Sequence, residues 1–304
     1  MALRRNILIF HQAALGDFIV TWPLALALAR LHPQSRVFYV TAGQKGALAE
    51  RVLRVESLDA EGGGWHRLFG ETPDLPAPAS RALAGAHTIV SFLAGPGERW
   101  TRNVAAANPD ANLLAIDSLA PEDFPGHQAE YLADQLYPWP AAESAAKQIL
   151  HSIADRGVGN ITPGNGPVVI HPGGGAAQKC WPAERFIELA ERLREQGRPV
   201  RVLLGEVELE RWPGDLVARF GAVAELRTPK TLMDLVAEIS SAGAFIGNDS
   251  GPGHLAGIMG IPTLSLFGDA SRVERWKPLG PRVRFIQKPL ESLEVGEVME
   301  ELGQ

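Results

Sequence analysis

Short apolar runs alternate along the chain with longer segments in which apolar residues recur every three or four positions. The runs predict buried strands, and the three-to-four spacing predicts amphipathic helices. The predicted strands are Asn6–Phe10, Arg36–Thr41, His87–Phe92, 112–116, Pro167–His171, Pro199–Leu204, Ala244–Gly247 and Thr263–Phe267. The predicted helices are 17–31, 44–52, 98–107, 127–138, 182–196, a segment ending near 220, 231–240, 251–259 and 290–302. Strands that alternate with helices favour parallel sheets covered on both faces, an α/β fold.

One segment interrupts the alternation. Residues 157–167 (GVGNITPGNGP) are rich in glycine and proline and poor in residues that form a core. We therefore predict two Rossmann-like, doubly wound domains at 1–156 and 168–304, joined by a linker at 157–167. Two such units in tandem predict a ligand cleft between them. For the last helix, we also consider packing on the first domain.

Composition narrows the functional classes. The chain has 304 residues, of which 45% are hydrophobic and 21% charged, and its net charge is −6, so a broad basic surface for nucleic acid is excluded. The single cysteine, Cys180, excludes an internal disulfide. The apolar N-terminal segment contains Asp17, which disfavours a signal peptide, and no run reaches the length of a membrane helix. These features predict a cytoplasmic protein.

Three motifs follow predicted strands. Asp17 comes soon after the first strand, in LGDFIVTWP, where a carboxylate either caps a helix or contacts a ligand. In HPGGGAAQKCWP, Gly173 and Gly174 would allow backbone amides to approach a phosphate, and Lys179 would add a positive charge. A flexible turn with a surface lysine is the alternative for this second motif.

The third motif, GNDSGPGHLAG at 247–257, predicts a second phosphate cradle at a helix start. Its candidate residues are Asp249, Ser250, Gly251, Gly253 and His254, and the alternatives are plain helix caps and an ordinary buried histidine. In LLGEVELE, Glu206 is a candidate for ribose hydroxyls. For Glu208 and Glu210 we prefer a solvated helix face. No complete G-x-G-x-x-G motif is present, which disfavours a nicotinamide dehydrogenase.

The order of these motifs resembles glycosyltransferase family 9, the ADP-heptose:lipopolysaccharide heptosyltransferases, over nearly the whole chain. The resemblance implies the glycosyltransferase-B fold, with the acceptor on the first domain and the nucleotide sugar on the second. It implies that Asp17 is the general base and that Lys179 contacts the donor diphosphate. It places the residues of the third motif in the donor-binding loop and Glu206 near the ribose-binding acid. Gly174-Gly175, after Pro172-Gly173, departs from the Ala-Ser of many members.

The implied reaction is an inverting transfer of a sugar, heptose by resemblance, from an ADP-sugar to a lipopolysaccharide core or related glycan. No metal cofactor is expected. Arg99 and Arg102 are candidates for an anionic, lipid-linked acceptor at the inner membrane surface, with solvated arginines as the alternative. We expect a monomer. The alternative functions are an epimerase-like nucleotide-sugar enzyme and a non-catalytic nucleotide-sugar-binding protein.

Overall fold

The computed structural model describes residues 6–158, 165–268 and 270–303. Residues 159–164 of the predicted linker lie outside this range. The chain divides into two compact units, Met1–His151 and Ser152–Gln304. Among the described residues, no helix is both long enough and apolar enough to cross a bilayer.

The first unit contains a five-stranded parallel sheet. Its strands are β1 (Asn6–Phe10), β2 (Arg36–Thr41), β3 (Glu56–Asp59), β4 (Ala86–Ser91) and β5 (Asn112–Ala115). Its helices are α1 (Leu15–Val20), α2 (Trp22–Leu31), α3 (Gly43–Leu53), α4 (Ala77–Ala84), α5 (Arg99–Ala107), α6 (Gln128–Asp134) and α7 (Pro140–Arg156), the last running into the second unit. The strand order is β3-β2-β1-β4-β5, so the chain reverses direction across the sheet between β1 and β4.

The second unit contains a six-stranded parallel sheet. Its strands are β6 (Val168–His171), β7 (Val200–Leu203), β8 (Glu225–Arg227), β9 (Ala244–Asn248), β10 (Thr263–Phe267) and β11 (Val283–Gln287). Its helices are α8 (Ala183–Glu195), α9 (Glu206–Arg211), α10 (Gly214–Val223), α11 (Leu232–Ser240), α12 (Gly251–Ile258), α13 (Ala270–Trp276) and α14 (Val295–Gly303). The order β11-β10-β9-β6-β7-β8 is that of a dinucleotide-binding sheet, with its switch point between β6 and β9. The predicted α/β class is confirmed.

Aromatic residues fill the core of each unit. In the first, the Phe10 ring meets the rings of Trp65 and Trp100 edge to face, at centroid distances of 5.1 and 4.9 Å. In the second, Trp181 and Phe186 pack edge to face at 4.8 Å. Burying each such side chain contributes about 2–3 kcal/mol to folding. Val295 and Val298 of α14 belong to the core of the second unit, where α14 packs on α8.

One predicted helix is two helices. The pattern over 17–31 predicted a continuous helix, but α1 ends at Val20 and α2 begins at Trp22. Pro23 causes the break, because it has no N–H to donate to the carbonyl four residues earlier. The separate, short α1 carries Asp17 in its first turn.

Candidate functional site

The two motifs of the second unit lie side by side at the switch point of its sheet. His171 at the end of β6 is in register with Gly247 of β9, so the glycine loop and the Asp249 loop leave adjacent strand ends. Ligands of open α/β sheets bind outside the carboxyl ends of the strands at this position. The two loops therefore lie next to each other at one edge of the sheet.

Asn248 joins the two loops. Its side chain is 0% exposed, and Nδ2 donates to the carbonyls of Pro172 at 2.8 Å and Gly173 at 3.2 Å. Its Oδ1 accepts the backbone N–H of Trp181 at 2.8 Å. One buried amide thus connects β9, the glycine loop and the segment just before α8. Asn248 lies in the third motif but was not among its candidate residues, because a sequence does not show which polar side chain is buried between two loops.

Titratable side chains lie close together at the same strand ends. Lys179 Nζ lies 3.8 Å from Asp249 Oδ2, and His254 Nε2 lies 4.0 Å from Asp249 Oδ1. Asp249 and His254 are largely buried, whereas Lys179 is more than a third exposed. The structure therefore brings Lys179, Asp249 and His254 together, with the lysine on the solvent side where it can meet an anion.

The third motif begins helix α12. Ser250 is the N-cap residue but makes no side-chain capping bond, and its Oγ lies 3.5 Å from His171 Nδ1. Gly251 and Gly253 are in the first turn, where helix N–H groups lack partners within the helix. The partly positive helix end suits an anionic ligand.

Glu208, rather than Glu206, is the acid that packs against the glycine loop. Glu208 is only 6% exposed and accepts the Gly205 N–H at 2.8 Å, so the expectation that it lies on a solvated face is wrong. Glu206, the predicted ribose ligand, is exposed on α9. Burial lowers the pKa of His171, and the carboxylate of Glu208 opposes that shift. Both residues lie on α9, and positions two apart on a helix are separated by about 200° around its axis, so Glu206 and Glu208 point to opposite sides.

The glycines of the loop differ in their surroundings. A Cβ on Gly173 would overlap the Glu208 carboxylate, and one on Gly174 would lie 2.9 Å from Cys180 Sγ. A Cβ on Gly175 would meet nothing within 4 Å. A side chain at 173 would therefore have to displace Glu208, while Gly175 has open space around it.

In the first unit, Asp17 lies partly buried in the first turn of α1. It interacts electrostatically with Lys45, a residue outside the sequence motifs. His11, between β1 and Asp17, is buried, with its ring 5.5 Å from that of Phe18. Burial and, to a smaller extent, the charge of Lys45 lower the pKa of His11 to about 3.

Arg99 and Arg102 lie on α5 of the first unit. Arg99 is half exposed and lies 4.0 Å from Glu71. Arg102 donates to the Gly97 carbonyl. Within the described residues, no group of three or more His, Cys, Asp or Glu side chains has a geometry suited to a metal ion.

Residues 124–301 match the model of glycosyltransferase family 9 (heptosyltransferase), which is more than half of the chain. The chain belongs to this family. The chain is 33% identical over 118 residues to lipopolysaccharide heptosyltransferase 3 of Escherichia coli K12, covering 36% of this chain and 33% of that protein. It is 38% identical over 91 residues to lipopolysaccharide heptosyltransferase 1 of Pseudomonas aeruginosa, covering 30% of this chain and 25% of that protein. The matched segments span a third or less of these relatives.

Solved structures of family 9 share the fold along the whole chain. A glycosyl transferase family 9 protein from Veillonella parvula superposes with a TM-score of 0.69 at 18% identity, covering 100% of this chain and 98% of that one. The Escherichia coli ADP-heptose lipopolysaccharide heptosyltransferase II gives a TM-score of 0.69 at 18% identity, covering 98% and 97%. The predicted glycosyltransferase-B fold is confirmed.

Proposed function

We propose that this family 9 protein is an inverting glycosyltransferase that moves a heptose from ADP-heptose to a lipopolysaccharide core acceptor. One observation carries the proposal: the two loops suited to a diphosphate meet at the switch point of the second sheet, joined by Asn248. Solved structures of the Escherichia coli heptosyltransferase WaaC contain ADP and ADP-2-deoxy-2-fluoro heptose, which supports an ADP-sugar as the donor.

The second unit would bind the donor. Lys179 would contact the diphosphate, and Gly173, Gly174 and the first turn of α12 would supply backbone N–H groups. The Asp249 carboxylate, whose Oδ2 lies 3.8 Å from Lys179 Nζ, would orient that lysine. It would also accept hydrogen bonds from hydroxyl groups of the donor sugar. For the ribose hydroxyls we propose Glu208 in place of Glu206, because Glu208 packs against the glycine loop.

The chemical step would begin at Asp17. Its carboxylate takes the proton of an acceptor hydroxyl as that oxygen attacks the anomeric carbon of the donor. The bond between the anomeric carbon and the diphosphate oxygen breaks, ADP leaves with the electron pair, and the configuration inverts. Lys179 and the helix N–H groups would stabilise the negative charge that develops on the leaving diphosphate. Arg99 and Arg102 would contact anionic groups of the acceptor.

Binding and transfer can be measured separately. Thermal shifts with ADP-, GDP-, UDP- and dTDP-sugars should show selective stabilisation by ADP-heptose. Incubation with ADP-heptose and heptose-free lipopolysaccharide should then give a heptosylated acceptor by mass spectrometry. Conversion of the donor without an acceptor would favour the epimerase-like alternative. Stabilisation without transfer to any core acceptor would favour a binding protein, and absence of any shift would contradict the proposal.

A further inference from the structure

Lys45 lies at an unfavourable position for a cation. It is the third residue of α3, in the first turn, where the partial positive charge of the helix end repels an ammonium group. It is also partly buried, and this loss of solvation lowers its pKa. A cation at such a position requires compensation from nearby groups.

The compensating groups come from three other segments. Lys45 Nζ donates to the Ala13 carbonyl at 2.5 Å, in the loop between β1 and α1. The carboxylates of Asp17 and Glu61 oppose the effect of burial. His11, which also interacts electrostatically with Lys45, has a pKa lowered to about 3 and is therefore neutral near pH 7. The Lys45 ammonium is thus opposed by the two carboxylates of Asp17 and Glu61.

We infer that Lys45 is a positioning residue for Asp17, holding the loop that precedes it and favouring its ionised carboxylate. This inference rests on the proposed function, in which Asp17 is the general base. The loop leads directly into α1, whose N-cap residue, Ala14, has no side chain that can form a capping bond. A hydrogen bond from α3 to Ala13 therefore replaces a local cap in placing the first turn. The positive charge favours the form of Asp17 that can accept a proton.

Three substitutions separate the hydrogen bond from the charge. Lys45→Met removes both, Lys45→Gln retains a donor without charge, and Lys45→Arg retains both. For Lys45→Met we expect kcat to fall about tenfold with KM for the donor nearly unchanged. The acid limb of the pH profile should move to higher pH by about half a unit to one unit, because the carboxylate loses a neighbouring cation.

Lys45→Gln should show the same shift of the acid limb with a smaller loss of kcat, and Lys45→Arg should resemble the unaltered protein. Lys288→Met removes a lysine paired with Glu297 in the second unit and is the charge-matched control, for which no shift is expected. A purely structural role would lower kcat without moving the acid limb, and that result would overturn the inference. A Lys45→Met variant whose kcat and acid limb both equal those of the unaltered protein would also overturn the inference.

Assays of the unaltered protein and of Lys45→Met distinguish a failure of the proposed function from a failure of the role of Lys45. If the unaltered protein transfers no heptose, the proposed function is refuted, and this inference with it. If the unaltered protein transfers heptose and the acid limb of Lys45→Met coincides with its own, only the role of Lys45 is refuted. Circular dichroism and the donor-induced thermal shift of each variant verify that the fold is retained.

Discussion

Asn248 and Trp181 are 67 positions apart in sequence, and the buried side chain of Asn248 accepts the Trp181 N–H at 2.8 Å. Trp181 Nε1 in turn donates to the Leu293 carbonyl at 3.0 Å. The candidate donor loops are therefore connected through Trp181 to the segment that precedes α14. The geometry of the site and the stability of the second unit depend on the same contacts.

Asn248→Ala should destabilise the protein by about 2–4 kcal/mol, because it leaves two buried carbonyls and one N–H without the amide. Urea unfolding followed by tryptophan fluorescence measures the loss. Asn112→Ala is the matched control, since Asn112 Nδ2 makes one exposed contact at 3.4 Å with the His87 carbonyl. That substitution should change the free energy of unfolding by less than about 0.5 kcal/mol. Equal losses would contradict a special role for Asn248.

Asp17→Asn should lower kcat by about 10²–10⁴-fold, because the amide cannot accept the proton of the acceptor hydroxyl. The donor-induced thermal shift should stay close to that of the unaltered protein, since the donor is proposed to bind the second unit. Glu61→Gln removes another carboxylate that acts on Lys45 and serves as the control. Near-normal turnover by Asp17→Asn would exclude Asp17 as the base.

Gly173→Ala should reduce stability by about 1–3 kcal/mol, because the new methyl group would overlap the Glu208 carboxylate. Gly175→Ala introduces the same methyl group where nothing lies within 4 Å and should be nearly neutral. Adding Glu208→Ala to Gly173→Ala should recover part of the loss. A double-mutant cycle measured by urea unfolding should give a coupling of about 1 kcal/mol or more. Strict additivity would show that the two residues do not compete for space.

Because the pKa of His11 is lowered in the folded protein, the free energy of unfolding should fall in mild acid. His11 has a pKa of about 3 in the folded protein and about 6.5 in an unfolded chain, so the unfolded state binds a proton first as the pH falls. Its contribution is complete above pH ~6.5 and is lost below it at up to about 1.4 kcal/mol per pH unit. His171, whose pKa burial also lowers, acts in the same direction.

His11→Leu should therefore flatten the dependence of the free energy of unfolding on pH between about 6 and 4.5. Urea titrations at several pH values measure this slope. His66→Leu is the control, because His66 lies exposed on the surface of the first unit and its loss should leave the slope unchanged. If the free energy of unfolding of His11→Leu depends on pH as steeply as that of the unaltered protein, His11 takes up its proton while the protein is folded.

The regular alternation of apolar runs and amphipathic segments was enough to predict the α/β class and most of the central strands. Local pattern suffices there because a central strand is buried on both faces and reads as an apolar run, as in Asn6–Phe10 and Thr263–Phe267. It fails at some sheet edges, although the edge strand β5 was predicted. Polar β3 (ESLD) and three-residue β8 (ELR) form by pairing with a neighbour and lack an apolar run of their own.

The candidate site also contains some residues that the sequence marks and others that only the tertiary structure reveals. Glycines, helix-start residues and charged groups after predicted strands marked Gly173, Lys179 and Asp249, because the ends of parallel strands meet at one edge of a sheet. Which side chains meet there depends on strand order, register and burial, which are long-range properties. The tertiary structure alone therefore distinguished Glu208 from Glu206, connected Asn248 to Trp181, and placed Lys45 beside the Ala13 carbonyl.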